Sequence, residues 1–237
     1  MAEEIDNPID FHFDSFDPSE EVQISEQNLP HWFQPSKALF VTFRTRDSLP
    51  KSVILADIKQ LEAWLESNQL PVALAQGTFA KKCPNHDQLL MTLSHQQRID
   101  FKRLSQRIFH YSLDKCHGAC HLKKPSIAEI VAEALLNFNG TRYVLDCFII
   151  MPNHCHVIVQ FLQDWNLSTV GQSWMRYSAR EINKQLGNSG SFWTREAFDH
   201  IIRSADQFEY LQSYIEDNPT KANLKTGNYQ YWRRAED

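Results

Sequence analysis

The sequence predicts an α+β domain, a small antiparallel sheet with helices packed on one face. Three observations point there. β-prone and helical segments alternate along the chain, strong strands are few, and the segments between them are short. The folded part begins near His31. Ala38-Leu39-Phe40-Val41-Thr42-Phe43-Arg44 is β-branched and aromatic, as a strand requires. Ile54, Ile58, Leu61 and Leu65 recur at helical spacing. Residues 68–93, with Pro71 and Pro84, show little pattern and read as loop.

Ser94-His95-Gln96-Gln97 fits a capping box, and Phe101, Leu104, Ile108 and Tyr111 continue the helix that it opens. Ser126-Ile127-Ala128-Glu129 reads as a second box. Ile127, Ile130, Val131, Ala134 and Leu135 then form one apolar stripe. Asn139-Gly140 signals a turn. Arg142 to Ile150 and Val157 to Phe161 read as strands, with Met151-Pro152-Asn153 as a tight connection. A helix over about Ser168 to Leu186 stops at Gly187. Ser204 caps a further helix carrying Phe208, Leu211 and Ile215, which Asn218-Pro219 is expected to end.

Composition narrows the function classes. No apolar run approaches the roughly 18 residues of a membrane span, and residues 1–30 lack the basic start and apolar stretch of a signal peptide. The expectation is a cytoplasmic protein without membrane contact. The net charge of −5 is unevenly spread: residues 1–30 hold nine acids and no base, while the rest holds 24 bases against 20 acids. The leader therefore reads as an acidic, disordered tail and the body as mildly basic. Cys116-His117 and Cys120-His121, with Cys83 and His86 upstream, match no standard zinc spacing and read as thiols in an irregular insert.

The chemistry concentrates in Met151-Pro152-Asn153-His154-Cys155-His156. Residues two apart on a strand share a face, so both imidazoles converge, and imidazole is a good ligand for a divalent metal. By spacing alone the pair is equally two histidines at a strand start. On the following helix, Tyr177 and Glu181 are four apart and share a face, flanked by Arg180 and Lys184. A phenol that attacks phosphorus, a carboxylate that completes a metal site and bases that hold phosphates would equip that helix for phosphodiester chemistry. A surface tyrosine beside an ion-paired glutamate is the alternative reading.

These two segments in this order resemble the single-tyrosine HUH transposases, most closely the REP-associated tyrosine transposase branch. Phe40 to Arg44 resembles the first strand of that family. Phe192-Trp193-Thr194-Arg195-Glu196-Ala197-Phe198-Asp199-His200-Ile201-Ile202-Arg203 resembles its segment after the tyrosine helix. Tyr214-Ile215-Glu216-Asp217-Asn218-Pro219-Thr220-Lys221-Ala222 resembles its C-terminal helix end. The likeness implies a ferredoxin-like HUH endonuclease fold over residues 31–225, with an insertion at about 66–125 and a tail at 226–237. It implies Tyr177 as nucleophile, forming a 5′-phosphotyrosine. It implies Mg²⁺ or Mn²⁺ on His154, His156 and a polar residue one turn beyond the tyrosine. Relatives often carry an amide there, whereas one turn after Tyr177 this chain has Glu181, with Asn183 as second choice.

The partner implied is single-stranded DNA bearing a hairpin, acted on by a monomer or homodimer. Arg44, Arg176, Arg180, Lys184, Arg195 and Arg203 are candidates to follow its backbone and Trp193 to stack on a base. Rival readings are a domesticated hairpin-binding protein that does not cut, and a replication-initiator or relaxase type of HUH nickase. A histidine-nucleophile nucleotide hydrolase favours a third alternating histidine, and Ile158 stands there.

Overall fold

The computed structural model describes residues 11–20, 22–26, 30–80, 85–162, 164–195 and 197–235. The chain divides into two compact units, one formed by Met1–Arg46 with Cys120–Asp237 and the other by Asp47–Ala119.

Among its described residues the first unit contains seven strands. β1 (Gln23–Glu26) and β2 (Pro30–Phe33) pair as a small antiparallel ribbon. β3 (Ala38–Arg44), β4 (Tyr143–Ile150), β5 (His154–Phe161), β6 (Phe198–Ile201) and β7 (Gln230–Arg233) form an antiparallel sheet in the order β6-β3-β5-β4-β7. Without the added edge β7, this is the strand order of a ferredoxin-like βαββαβ unit.

Helices cover both faces of the sheet, not the one face expected. α5 (Pro125–Leu136) and α6 (Leu167–Leu186) pack on the side bearing Val41, Phe43, Cys155, Val157 and Val159. α7 (Ala205–Lys221) covers the opposite side and touches β4. The reason is in the strands. β4 is buried along its whole length, and such strands need apolar cover on both faces.

Several local expectations shift. Gly187 does end α6 in the left-handed region, with φ 64°. Ser204 does cap α7 by accepting from the Gln207 amide. α5, however, begins at Pro125 with Lys124 at its N-cap, so Ser126 lies inside the first turn and its hydroxyl meets Gln185 instead. α7 continues through Pro219, which sits in its last turn. The proline gives up the bond to the carbonyl four residues back, and Asn218 nevertheless stays helical. The acidic leader is not wholly a tail. Phe11 and Phe13 stack on Phe208, Asp14 accepts from the Ala38 amide, and Lys37 reaches both Asp14 and Glu20. Residues 1–10 lie outside the described residues.

The second unit is helical: α1 (Lys51–Ser67), α2 (Ala73–Ala80), α3 (His86–Thr92) and α4 (His95–Asp114). It has its own core of Ile58, Leu61, Leu65, Leu74, Leu93, Phe101 and Ile108. The Ser94–Gln97 capping box is present in both directions. The expected loop at 68–93 holds two short helices, because Leu74, Ala75 and Leu93 find partners on α1 and α4 that a local pattern does not reveal. This unit, Asp47–Ala119, overlaps the insertion expected at about 66–125. Cys83 lies outside the described residues. Among the described residues, no helix is long and apolar enough to cross a membrane.

Candidate active site

The β4–β5 connection is tightly pinned. The Met151 amide donates to the His154 carbonyl at 2.8 Å, and the Thr45 amide donates to the Asn153 carbonyl at 2.8 Å. This holds His154 and His156 at the start of β5, both fully buried, with ring centroids 4.6 Å apart.

Each imidazole has a partner at Nδ1. For His154 it is Asn153 Oδ1 at 2.7 Å, and for His156 it is Thr42 Oγ1 at 2.8 Å. A carboxamide oxygen only accepts, so His154 Nδ1 carries the proton and its Nε2 carries the lone pair. The threonine hydroxyl serves His156 in the same way when it accepts. Outer partners of this kind orient metal-ligating histidines and fix their tautomer. Two neutral imidazoles so held fit a divalent cation, with both Nε2 atoms as donors. Phe40 stacks on His156 at 5.2 Å and closes the floor of the site.

The tyrosine beside this pair is Tyr214. Its hydroxyl lies 3.5 Å from His156 Nε2, and the two rings are 5.3 Å apart at 64°. Its ring also meets Phe40 at 6.1 Å. One turn further along α7, Asn218 is fully buried. Positions four apart on a helix share a face, so Asn218 follows Tyr214 on the same side. Lys221 holds its ammonium 5.3 Å from the Tyr214 ring.

Tyr177 and Glu181 are not brought to the histidines. They belong to α6, whose Trp174 packs against Phe43, Tyr143 and Phe161 on the other face of the sheet. Tyr177 is 41% exposed, with the Arg180 guanidinium over its ring at 5.8 Å. Glu181 accepts from Arg180 Nε at 2.8 Å. Asn183 donates to the Gly190 carbonyl. The physical reason is alternation. His154 and His156 point opposite to Cys155 and Val157, and it is the latter pair that α6 covers.

The DNA-binding candidates divide as well. Trp193 is buried, stacks edge-on against Phe43 and donates to Ser178, so it is a core residue and not a platform for bases. Arg176, Arg180, Lys184, Arg195 and Arg203 are exposed. Arg203 lies over Phe16 at 5.7 Å. Arg44 is half-buried at the end of β3, and burial depresses its pKa. The missed signal was Tyr214 followed by Asn218. That is a phenol with an amide one turn on, the spacing that the resemblance implies for a ligand.

One comparison with known proteins falls on this region. Residues 122–218 match the family described as IS200-like transposase, a span from just before α5 to Asn218. An uncharacterized protein of Haemophilus influenzae is 28% identical over 96 residues, covering 32% of this chain and 53% of that one. The chain thus spans about half the length of this relative. A solved REP-associated tyrosine transposase bound to a REP hairpin aligns over 84% of this chain and 76% of its own, at 12% identity and a TM-score of 0.38. The stretch that carries the histidine pair and Tyr214, residues 122–218, is thus similar to the IS200-like transposase family.

Proposed function

We propose that the chain nicks and rejoins single-stranded DNA bearing a hairpin, as a transposase with Tyr214 as its nucleophile. The observation that carries this is the Tyr214 hydroxyl 3.5 Å from His156 Nε2, on the face of the sheet that α6 leaves to α7. In this reading the Tyr214 oxygen attacks the scissile phosphorus, the bond from phosphorus to the 3′ oxygen breaks, and that oxygen leaves as a 3′-hydroxyl once protonated. A 5′-phosphotyrosine remains. Its bond energy is retained, so the 3′-hydroxyl can reverse the step without a nucleotide cofactor.

His154, His156 and the Asn218 carboxamide oxygen are the proposed ligands of Mg²⁺ or Mn²⁺. Such an ion, when bound, polarises the phosphate and neutralises charge developing on it. The chain's own residues do the rest. Thr42 and Asn153 hold the imidazoles, Phe40 and the buried strands exclude water, and Lys221 offers a cation beside the phenol. Taking Tyr214 as nucleophile also restores the amide one turn on. The hairpin and the REP-associated branch rest on the sequence motifs.

The test uses labelled single-stranded DNA containing a hairpin, with Mn²⁺. A denaturation-resistant protein–DNA adduct is expected. It should disappear in Tyr214→Phe and on chelation, and persist in Tyr177→Phe. An adduct that survives Tyr214→Phe and is lost in Tyr177→Phe would return the nucleophile to α6. Binding with no adduct under any metal would leave a hairpin-binding protein that does not cut.

A further inference from the structure

The longest helix of the second unit is basic. α4 carries Arg98, Lys102, Arg103 and Arg107, and Lys115 follows as its C-cap. Its apolar side is set by Phe101, Ser105, Ile108 and Ser112, all buried. Arg103, Arg107, Tyr111 and Lys115 instead fall four apart and form one row along the helix. All four are exposed, and Tyr111 is 63% exposed. The Lys115 ammonium lies over the Tyr111 ring at 4.6 Å.

Among the described residues, Arg103, Arg107 and Lys115 form no ion pair, and no carboxylate occupies the row. Successive positions are about 6 Å apart along the axis. Exposed cations alone would simply be solvated. A large exposed aromatic within the same row is a different matter, since it adds a flat face beside three uncompensated charges. A cationic row tracks a polyanion backbone, and an aromatic face within it stacks unpaired bases. Paired bases in a stem offer no such face, so the complementary ligand is single-stranded.

We infer that the row Arg103, Arg107, Tyr111 and Lys115 on α4 is a binding surface for single-stranded DNA. The inference rests on the reading of the chain as a DNA-processing protein. The row supplies affinity and tolerance of sequence, because its contacts are to phosphates and to base faces.

The test compares the full-length protein with an Arg103→Gln/Arg107→Gln/Lys115→Gln variant. Fluorescence anisotropy follows two labelled DNAs, a hairpin with a long single-stranded flank and the same hairpin with blunt ends. On the flanked DNA the variant should lose about tenfold or more in affinity. Its plot of log affinity against log salt between about 50 and 200 mM should be shallower by about 2, since each lost single-strand phosphate contact removes roughly 0.7. Arg103→Lys/Arg107→Lys keeps the charge and should keep the slope. Tyr111→Ala should cost about fivefold or more on the flanked DNA, as expected for one lost stacking platform. Blunt hairpin binding and the rate of adduct formation at saturating DNA should be unchanged.

Unaltered affinity and slope in the triple variant, while wild type binds, would overturn the inference and leave the Tyr214 reading standing. An equal loss on the blunt hairpin would overturn the assignment to single strand. A wild-type protein that binds neither DNA would overturn the reading beneath it as well.

Discussion

Thr42 shows how much a single hydrogen bond can decide. The β3–β5 register sets it opposite His156, and its hydroxyl meets His156 Nδ1 at 2.8 Å in a buried setting. Nothing in the local sequence marks it, because it reads as one more β-branched residue in a strand. Thr42→Val keeps the shape and removes the hydroxyl. Loss of an outer-shell partner typically weakens metal affinity by about 10–100-fold, so the Mn²⁺ concentration for half-maximal adduct should rise by that order. An unchanged metal titration would show that Thr42 only packs. The histidines themselves were legible from two-residue spacing and a β-prone context. That Tyr214 lies beside them was not, since only the side of the sheet that each helix covers separates Tyr214 from Tyr177.

At the level of elements, α7 is tied to the sheet on either side of the phenol's approach. Gln207 meets His200 on β6 at 3.2 Å, while its Oε1 accepts from the Arg203 amide at 2.8 Å. Gln212 donates to both carboxylate oxygens of Asp146 at 3.0 Å. Asp146 sits where the β4–β5 register shifts between Leu145 and Cys147, and a bulge of this kind re-aims a side chain. Gln212→Ala leaves a buried carboxylate without that donor, at a cost of about 1–3 kcal/mol. Faster hydrogen exchange along α7 and slower adduct formation are expected, with DNA affinity unchanged. Equal exchange in α7 would mean that packing of Leu211 and Ile215 suffices to hold it. The bulge and the short strands β6 and β7 escaped the sequence because a four-residue strand has too little pattern to show a period.

On the scale of the whole molecule, the helical unit has a core of its own, and acid should act on it first. His110 lies in the helical unit with Nδ1 buried, and burial pushes its pKa down to about 4. The unfolded value is near 6.5. The stability it contributes is therefore present above that pH and is lost as pH falls toward 4. The loss at pH 5 amounts to about 2 kcal/mol. Proteolytic nicking within residues 47–119 should accelerate from pH 7 to pH 5 in wild type, and by less in His110→Gln. Equal acceleration in the two proteins would assign the acid response to other groups.

The sequence by itself determined the α+β class, the position of the histidine pair, the long helices α4, α5 and α6, and the mildly basic body. Each follows from a period of two or 3.6 or from counting charges, and such signals are local. Only the tertiary structure decided which helix meets the histidines, where the inserted unit begins and ends, and that Trp193 is core. Those answers depend on which face of the sheet each helix covers. A strand apolar on both sides accepts a helix on either, so Tyr214 was separated from Tyr177 by the alternation of β5, read together with the cover that α5 and α6 had already supplied.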